Sequence, residues 1–217
     1  MTASNLPENS VLDQVPLFPL PKIVHFPGTL LPLHVFEPRY QQMTKDALAG
    51  DKHISVVLIP NAAAENKLGQ SKIAKVAGLG EIVRHEELED GKFNLLLLCR
   101  GRAKIEEHPF ILPYRQGRLT LLGDTDVPAD RTNLRGLIAL AGERAAKIRA
   151  EYPQFQFEIS DDEPPSRIVD LCAHHLISHA INRQELLETQ SVTKRLDLCL
   201  ELLMRQEPPP NADQRLN

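Results

Sequence analysis

Ser191 and Lys194 could act as a nucleophile and its base, because they form the pattern S-x-x-K. Penicillin-recognising enzymes use a Ser/Lys pair at this spacing, together with S-D-N and K-T-G motifs. Neither companion motif occurs in this sequence. We therefore interpret Ser191 as the N-cap of a helix, with an exposed lysine one turn later.

Cys172, His175 and His179 could ligate a metal, since they fall at i, i+3 and i+7 of a predicted helix. A zinc site needs convergent ligands, which usually come from more than one element. No acidic or cysteine partner is apparent in the sequence. We predict no metal site and interpret the histidines as residues of helix packing.

Phosphate-binding patterns are missing, because the sequence contains neither G-x-x-x-x-G-K-[ST] nor a strand that leads into G-x-G-x-x-G. We therefore expect no ATPase activity and no cofactor. Arg100, Arg102 and Lys104 alternate at period two, which places them on one strand face as a candidate RNA-binding cluster. The net charge of -4 and the scarcity of aromatic residues, at 5% with no Trp, favour a solvated strand face instead.

The elements that would position these side chains change in type near Gly123. Before Gly123, proline predicts extended segments at 15–19 and 30–36. Short β-branched or apolar runs between turn residues indicate strands at 54–59, 73–84, 93–99, 103–106 and 112–122. Arg100 to Arg102 is predicted to turn or bulge. One helix is predicted to begin at Pro38 and to end at Gly50.

After Gly123 the apolar spacing is helical. It predicts helices over 133–151, from Asp161 to about Ala180, over 183–188, and after Ser191. We expect an α+β protein in which a mostly antiparallel β-barrel spans 13–123 and a helical bundle spans 124–206. The ends, 1–12 and 207–217, are expected to be flexible tails.

Composition is that of a globular protein: 217 residues, 42% hydrophobic and 25% charged. Cys99, Cys172 and Cys199 are odd in number and far apart, which indicates reduced thiols. No basic region followed by an apolar run marks a signal peptide, and the longest apolar run, 95–99, is too short to cross a membrane. We expect a cytoplasmic protein that is not associated with a membrane.

The amino-terminal part carries a composite motif, PLFPL, then FPG, then LPLHVFEPRY, within Val15 to Tyr40. It resembles the amino-terminal, substrate-binding domain of Lon proteases, and the resemblance extends to about Arg205. It implies a PUA-like β-barrel followed by a helical bundle, with recognition of unfolded polypeptide as the function. The Lon ATPase and peptidase domains are not expected in this chain, so the resemblance implies a non-enzymatic module that serves a protease or chaperone.

The motif residues have a structural and a functional interpretation. Its prolines set extended segments and turns, while Phe18, Leu33 and Phe36 are expected in the barrel core and Arg39 can form an ion pair beside Glu37. The functional interpretation is a groove that binds peptide through apolar pockets or a sheet edge. The candidate peptide-binding residues are Phe18, Phe26, Phe36, Glu37, Arg39 and Tyr40. RNA or small-ligand binding through the barrel is the alternative, although nucleic acid is not the expected partner.

Overall fold

A computed structural model of the chain describes residues 7–61, 71–111, 113–128, 131–160 and 162–205. The chain divides into two compact units between Gly123 and Asp124. Within the described residues, strands and one helix form the first unit, and helices form the second. This arrangement confirms the predicted α+β fold. None of the described helices combines the length and the hydrophobicity of a membrane-spanning segment.

The first unit is built around one sheet that closes on itself. Its elements are β1 (Val11–Pro21), β2 (Leu30–Val35), α1 (Pro38–Ala49), β3 (His53–Ile59), β4 (Val76–Glu87), β5 (Phe93–Glu107) and β6 (Arg115–Leu122). The strand order is β2-β5-β4-β3-β1-β6, and an additional β5–β6 pairing closes the ring into a barrel. All pairs are antiparallel except β1–β3.

The ends of the predicted segments shift in places. Strand β1 begins at Val11, inside the range 1–12 that is predicted to be a tail. Residues 1–6, all of 207–217 and Leu112 lie outside the described residues. Strand β5 continues through Arg100 to Arg102. Its register against β4 shifts there, because Leu79 pairs with Gly101 and Gly80 pairs with Cys99, so Arg100 is the extra residue of a bulge. The predicted bulge is therefore confirmed.

Helix α1 forms where the sequence predicts it. Pro38 occupies its first turn, where the missing N–H has no helical partner to lose. The Gly50 N–H donates to the carbonyl oxygens of Ala47 and Asp46, which ends the helix. Tyr40, Met43 and Ala47 are its buried stripe and pack into the barrel core.

The segment His25-Phe26-Pro27-Gly28 is a turn fastened to strand β5. Gly28 has φ +71° and its N–H donates to the Cys99 carbonyl at 2.7 Å. The Thr29 N–H and Oγ1 both donate to the Phe26 carbonyl, at 3.1 and 2.7 Å. Phe26 is fully buried. The FPG part of the motif therefore anchors this turn to the barrel.

His25 in this turn approaches strand β4 so closely that only glycine fits at Gly78. A Cβ at Gly78 would lie 2.2 Å from the His25 carbonyl oxygen and 2.9 Å from the Cys99 Sγ. We expect Gly78→Ala to lower the free energy of unfolding by about 2–3 kcal/mol, because a backbone atom has to move. Urea unfolding, followed by circular dichroism at several wavelengths, measures this loss of unfolding free energy.

Gly136→Ala is the matched control, because nothing lies within 4 Å of a Cβ at that exposed helical position. Alanine there is expected to raise the free energy of unfolding by up to about 1 kcal/mol through helix propensity. A Gly78→Ala protein as stable as the parent would contradict the close approach.

The second unit contains α2 (Thr132–Glu151), α3 (Pro165–Leu176), α4 (Ala180–Glu188) and α5 (Val192–Arg205). Helices α2, α3 and α5 pack against one another, and α4 contacts α3 and α5. The prediction that α3 continues to about Ala180 is wrong. Helix α3 ends at Leu176, because the backbone of Ile177 is extended, with φ −86° and ψ 120°. His179 is already the N-cap residue of α4.

Arg195, in the first turn of α5, is the largest fully buried side chain of the described residues. Its Nε lies 3.1 Å from Asp170 Oδ1 of α3, and its Nη2 lies 2.9 Å from Asp124 Oδ1. Its Nη1 donates to the Thr189 carbonyl at 2.7 Å. The guanidinium therefore ties α5 to α3 and to the segments before α2 and after α4.

Candidate functional site

The six predicted peptide-binding residues form a buried and an exposed group. Phe18, Phe26 and Tyr40 are buried, whereas Phe36, Glu37 and Arg39 are partly or largely exposed. Phe36 is 59% exposed because it lies in the link between β2 and α1. The prediction that Phe36 fills the barrel core is therefore wrong.

A surface cavity of about 190 Å³ lies in the barrel unit, beside the start of α1. We call it the aromatic pocket. It is lined by Pro19, Arg39, Tyr40, Ile59, Ser71, Phe110, Pro113, Tyr114 and Arg115. The chain has only seven Phe, three Tyr and no Trp, and three of these rings line this one cavity. Arg39 and Tyr40 are the two predicted residues that line it.

The wall at α1 is a stack of side chains from the motif. The rings of Phe18 and Tyr40 lie 4.4 Å apart between centroids, at 52°. The Arg39 Cζ lies 4.5 Å from the centroid of the Tyr40 ring, and the Arg39 Nη2 pairs with Glu37 Oε2 at 2.8 Å. The predicted ion pair is confirmed, and it holds the guanidinium over the ring. Phe18 thus supports the pocket from the core.

The opposite wall comes from the segment before β6 and from its first residue. Arg115 donates to both carboxylate oxygens of Glu107, at 2.7 and 3.0 Å, and to the Ser71 carbonyl at 2.9 Å. The Tyr114 hydroxyl donates to Asp46 Oδ2 at 2.7 Å. Burial, helped by this carboxylate, raises the pKa of Tyr114, so the hydroxyl stays protonated as a donor.

A second cavity, of about 460 Å³, also has Tyr114 in its wall. We call it the acidic cavity, because three carboxylates line it, those of Asp13, Asp46 and Asp51. The other lining residues are Val11, Leu12, Gln14, Val15, Pro16, Ala47, Gly50, His53 and Gln116. Asp13 pairs with His108 at 2.7 Å and with Arg118 at 3.6 Å.

The candidate RNA-binding residues do not present three free cations on one face. Arg100 is mostly buried and pairs with Glu81 Oε2 at 2.6 Å, and Arg102 is only 3% exposed. Lys104 projects into solvent, 3.9 Å from Glu106 Oε1. RNA binding by these residues stays a prediction.

The Ser191 and Lys194 pattern forms a helix cap. Ser191 Oγ accepts the Lys194 N–H at 3.2 Å and donates to Asp126 Oδ2 at 3.1 Å. This hydroxyl therefore closes the first turn of α5, which confirms the structural interpretation.

The residues considered as metal ligands, for which no metal site is predicted, are divided between two elements. Cys172 and His175 belong to α3, whereas His179 lies outside it. Burial raises the pKa of Cys172 to about 12, which keeps its thiol protonated. Among the described residues, no group of three or more His, Cys, Asp or Glu side chains could hold a metal ion.

Sequence reasoning missed the far wall of the aromatic pocket. Phe110, Pro113, Tyr114 and Arg115 lie about seventy positions after the motif, and the β1–β6 and β5–β6 pairings bring them to it. A signal was present in the run P-F-I-L-P-Y, which concentrates two aromatic residues and two prolines in a chain that is poor in aromatic residues.

Sequence comparison relates most of the chain to one kind of domain. It is 27% identical over 193 residues to the Lon protease of Cytophaga hutchinsonii, which covers 87% of this chain and 24% of that protein. It is 28% identical over 187 residues to the Lon protease of Rhizobium meliloti, covering 85% and 23%. The chain thus spans about a quarter of the length of these curated relatives.

The fold leads to the same group of proteins. The crystal structure of a Lon N-terminal domain protein from Xanthomonas campestris superimposes with a TM-score of 0.63 at 19% identity, over 90% of this chain and 100% of that one. The N-terminal domain of the Mycobacterium avium complex Lon protease gives 0.59 at 15% identity, over 89% and 100%. The family model described as the ATP-dependent protease La (LON) substrate-binding domain matches residues 14–205. The chain therefore belongs to the family of Lon substrate-binding domains.

Proposed function

We propose that this chain recognises polypeptide without covalent chemistry, by accepting an apolar side chain of an extended segment into the aromatic pocket. The observation that carries the proposal is the concentration of Tyr40, Phe110 and Tyr114 in one surface cavity. Buried Phe18 and the Glu37–Arg39 pair hold the pocket in shape before a ligand arrives. Rigid aromatic walls favour binding, since little side-chain entropy is lost when the ligand enters.

The chemistry of the pocket suits an apolar ligand. Both guanidinium groups in its wall are already neutralised, Arg39 by Glu37 and Arg115 by Glu107. An acidic ligand would have to displace one of these carboxylates. Rings and prolines dominate the remaining wall, and such surfaces bind apolar side chains and extended proline-rich segments.

We further propose that the chain is not an enzyme and acts in the cytoplasm, as an adaptor that delivers polypeptide to a protease or chaperone. The Ser191 hydroxyl, occupied in capping α5, supports the first part. The three buried cysteines, which form no disulfide, suit a reducing compartment. The barrel is proposed to be PUA-like, as its closed sheet suggests.

Fluorescence anisotropy with a permanently unfolded protein, such as reduced and carboxymethylated α-lactalbumin, tests the recognition. We expect micromolar binding, and we expect Phe110→Ala to raise the Kd about tenfold, which is the loss of about 1.4 kcal/mol from one contact residue. Phe36→Ala is the matched control, because this exposed ring does not line the pocket. It should leave the Kd within about twofold.

Two results would count against recognition by this pocket. One is an equal effect of both substitutions, and the other is failure of the parent chain to bind several unfolded proteins. Circular dichroism of both variants shows that any loss of binding is not a loss of folding.

A further inference from the structure

We propose that the aromatic pocket and the acidic cavity form one groove, which selects polypeptide segments carrying a lysine or arginine two or three residues from an apolar residue. This inference rests on the proposed function and specifies its substrate class. It is carried by Tyr114, which lines both cavities, by the geometry of α1, and by Asp46 and Asp51 of the acidic cavity, which form no ion pair among the described residues.

Tyr114 is the residue that the two cavities share. It lines both, and its hydroxyl donates to Asp46 Oδ2 at 2.7 Å in the wall of the acidic cavity. A chain laid across this tyrosine would meet rings on one side and carboxylates on the other.

Helix α1 sets the distance between the two binding positions. Its first turn supplies Tyr40 to the aromatic pocket, and its later part supplies Asp46 to the acidic cavity. At about 1.5 Å per residue, these positions lie about 9 Å apart along the helix axis. An extended peptide covers this distance in about three residues at about 3.3 Å each. The spacing in the proposed substrate follows from this ratio.

The charges favour a basic side chain over an acidic one. Among the described residues, Asp46 and Asp51 form no ion pair, whereas Asp13 pairs with His108 and Arg118.

The other side chains in the wall of the acidic cavity carry no positive charge. Burial lowers the pKa of His53, so its imidazole is neutral near pH 7 and offsets neither carboxylate. The remaining polar side chains in the wall, Gln14 and Gln116, are uncharged. A lysine or arginine of the ligand would therefore supply the positive charge that Asp46 and Asp51 do not receive from the wall of the cavity.

The test compares two labelled, unstructured peptides of about twelve residues, blocked at both ends. One carries Phe and, three positions later, Lys in a Gly/Ser background, and the other has Gln in place of that Lys. At low salt we expect the Lys peptide to bind about fivefold more tightly. The preference should shrink as sodium chloride is raised, because the carboxylates are open to solvent.

Asp46→Asn and Asp51→Asn should together abolish the preference. The amide introduced by Asp46→Asn keeps an oxygen that accepts the Tyr114 hydroxyl and loses only the exposed hydrogen bond from Gln42 Nε2. Asp51 is exposed, so the fold should be retained. Asp90→Asn is the control, because this exposed carboxylate pairs with Lys92 in a hairpin outside both cavities. It should leave the preference unchanged.

The outcomes separate this inference from the proposed function. Equal binding of the two peptides, or a Lys preference that survives in the double Asn variant, overturns the basic-residue selectivity and leaves apolar recognition standing. Failure of both peptides and of the unfolded protein to bind overturns both proposals.

Discussion

Replacement of Arg195 by methionine is expected to lower the free energy of unfolding of the helical unit by about 3–5 kcal/mol. The substitution leaves the Asp170 carboxylate, only 4% exposed, without the guanidinium that pairs with it at 3.1 Å. It also removes the donor to the Thr189 carbonyl. An uncompensated buried charge costs far more than the pair contributes when intact.

Urea unfolding followed by circular dichroism at 222 nm measures this loss, since most of the helix lies in the second unit. Arg205→Met is the matched control, because Arg205 is 76% exposed and pairs with Glu201 within the same helix. It should cost less than about 0.5 kcal/mol. Similar costs for the two substitutions would contradict the role assigned to Arg195.

A second variant keeps this prediction testable if Arg195→Met does not fold. Combining it with Asp170→Leu removes both buried charges, and an apolar pair of similar volume restores much of the stability in such sites. We expect the double variant to be more stable than Arg195→Met alone. A double variant that is less stable would show that packing, and not the loss of the guanidinium beside Asp170, dominates the loss.

Acidification from pH 7 to pH 4 is expected to remove about 3 kcal/mol of stability from the barrel unit through His25 alone. Burial lowers the pKa of His25 to about 4, and its Nε2 lies 3.1 Å from the Thr29 carbonyl. The unfolded chain takes up the proton below about pH 6.5, but the folded chain only near pH 4. The contribution is therefore complete above about pH 6.5 and is lost as the pH falls toward 4.

His25→Gln isolates this contribution, because the amide can still donate to the Thr29 carbonyl but does not titrate. The difference in unfolding free energy between the parent and His25→Gln should fall by about 3 kcal/mol between pH 7 and pH 4. Tyrosine fluorescence follows mainly the barrel, which contains Tyr40 and Tyr114, and Tyr152→Phe in every variant removes the signal of the helical unit. His85→Gln, at an exposed position, is the control, and its difference in unfolding free energy from the parent should be the same at pH 7 and pH 4. The same result for His25→Gln would refute the assignment.

The sequence predicts the fold better than the site, for a physical reason. Hydrophobic period, proline at a helix start and glycine at its end are local signals, so α1 and the change at Gly123 can be placed from the chain alone. Phe36 is misplaced because an apolar residue that follows a strand carries no local sign of its exposure. The helix end at Leu176 is missed because neither proline nor glycine marks it.

The aromatic pocket depends on contacts that no local pattern contains. Its walls come from β1, α1, β3 and the start of β6, and only the closed ring brings Tyr40 and Tyr114 into one cavity. The motif supplies one wall of this pocket through Arg39 and Tyr40. Its Phe26 ring, by contrast, is buried in a turn and holds the barrel together.

Ring closure in the barrel has a consequence for the order of folding during synthesis. Val11 of β1 pairs with Thr120 of β6, more than one hundred positions later in the chain. The β1–β3 pair can form early, whereas the other edge of β1 has to wait until β6 has left the ribosome. Pairings this distant in sequence slow folding. We therefore expect the nascent barrel to expose an unpaired, apolar edge of β1 until residue 120 is available, and to need protection by chaperones over that interval.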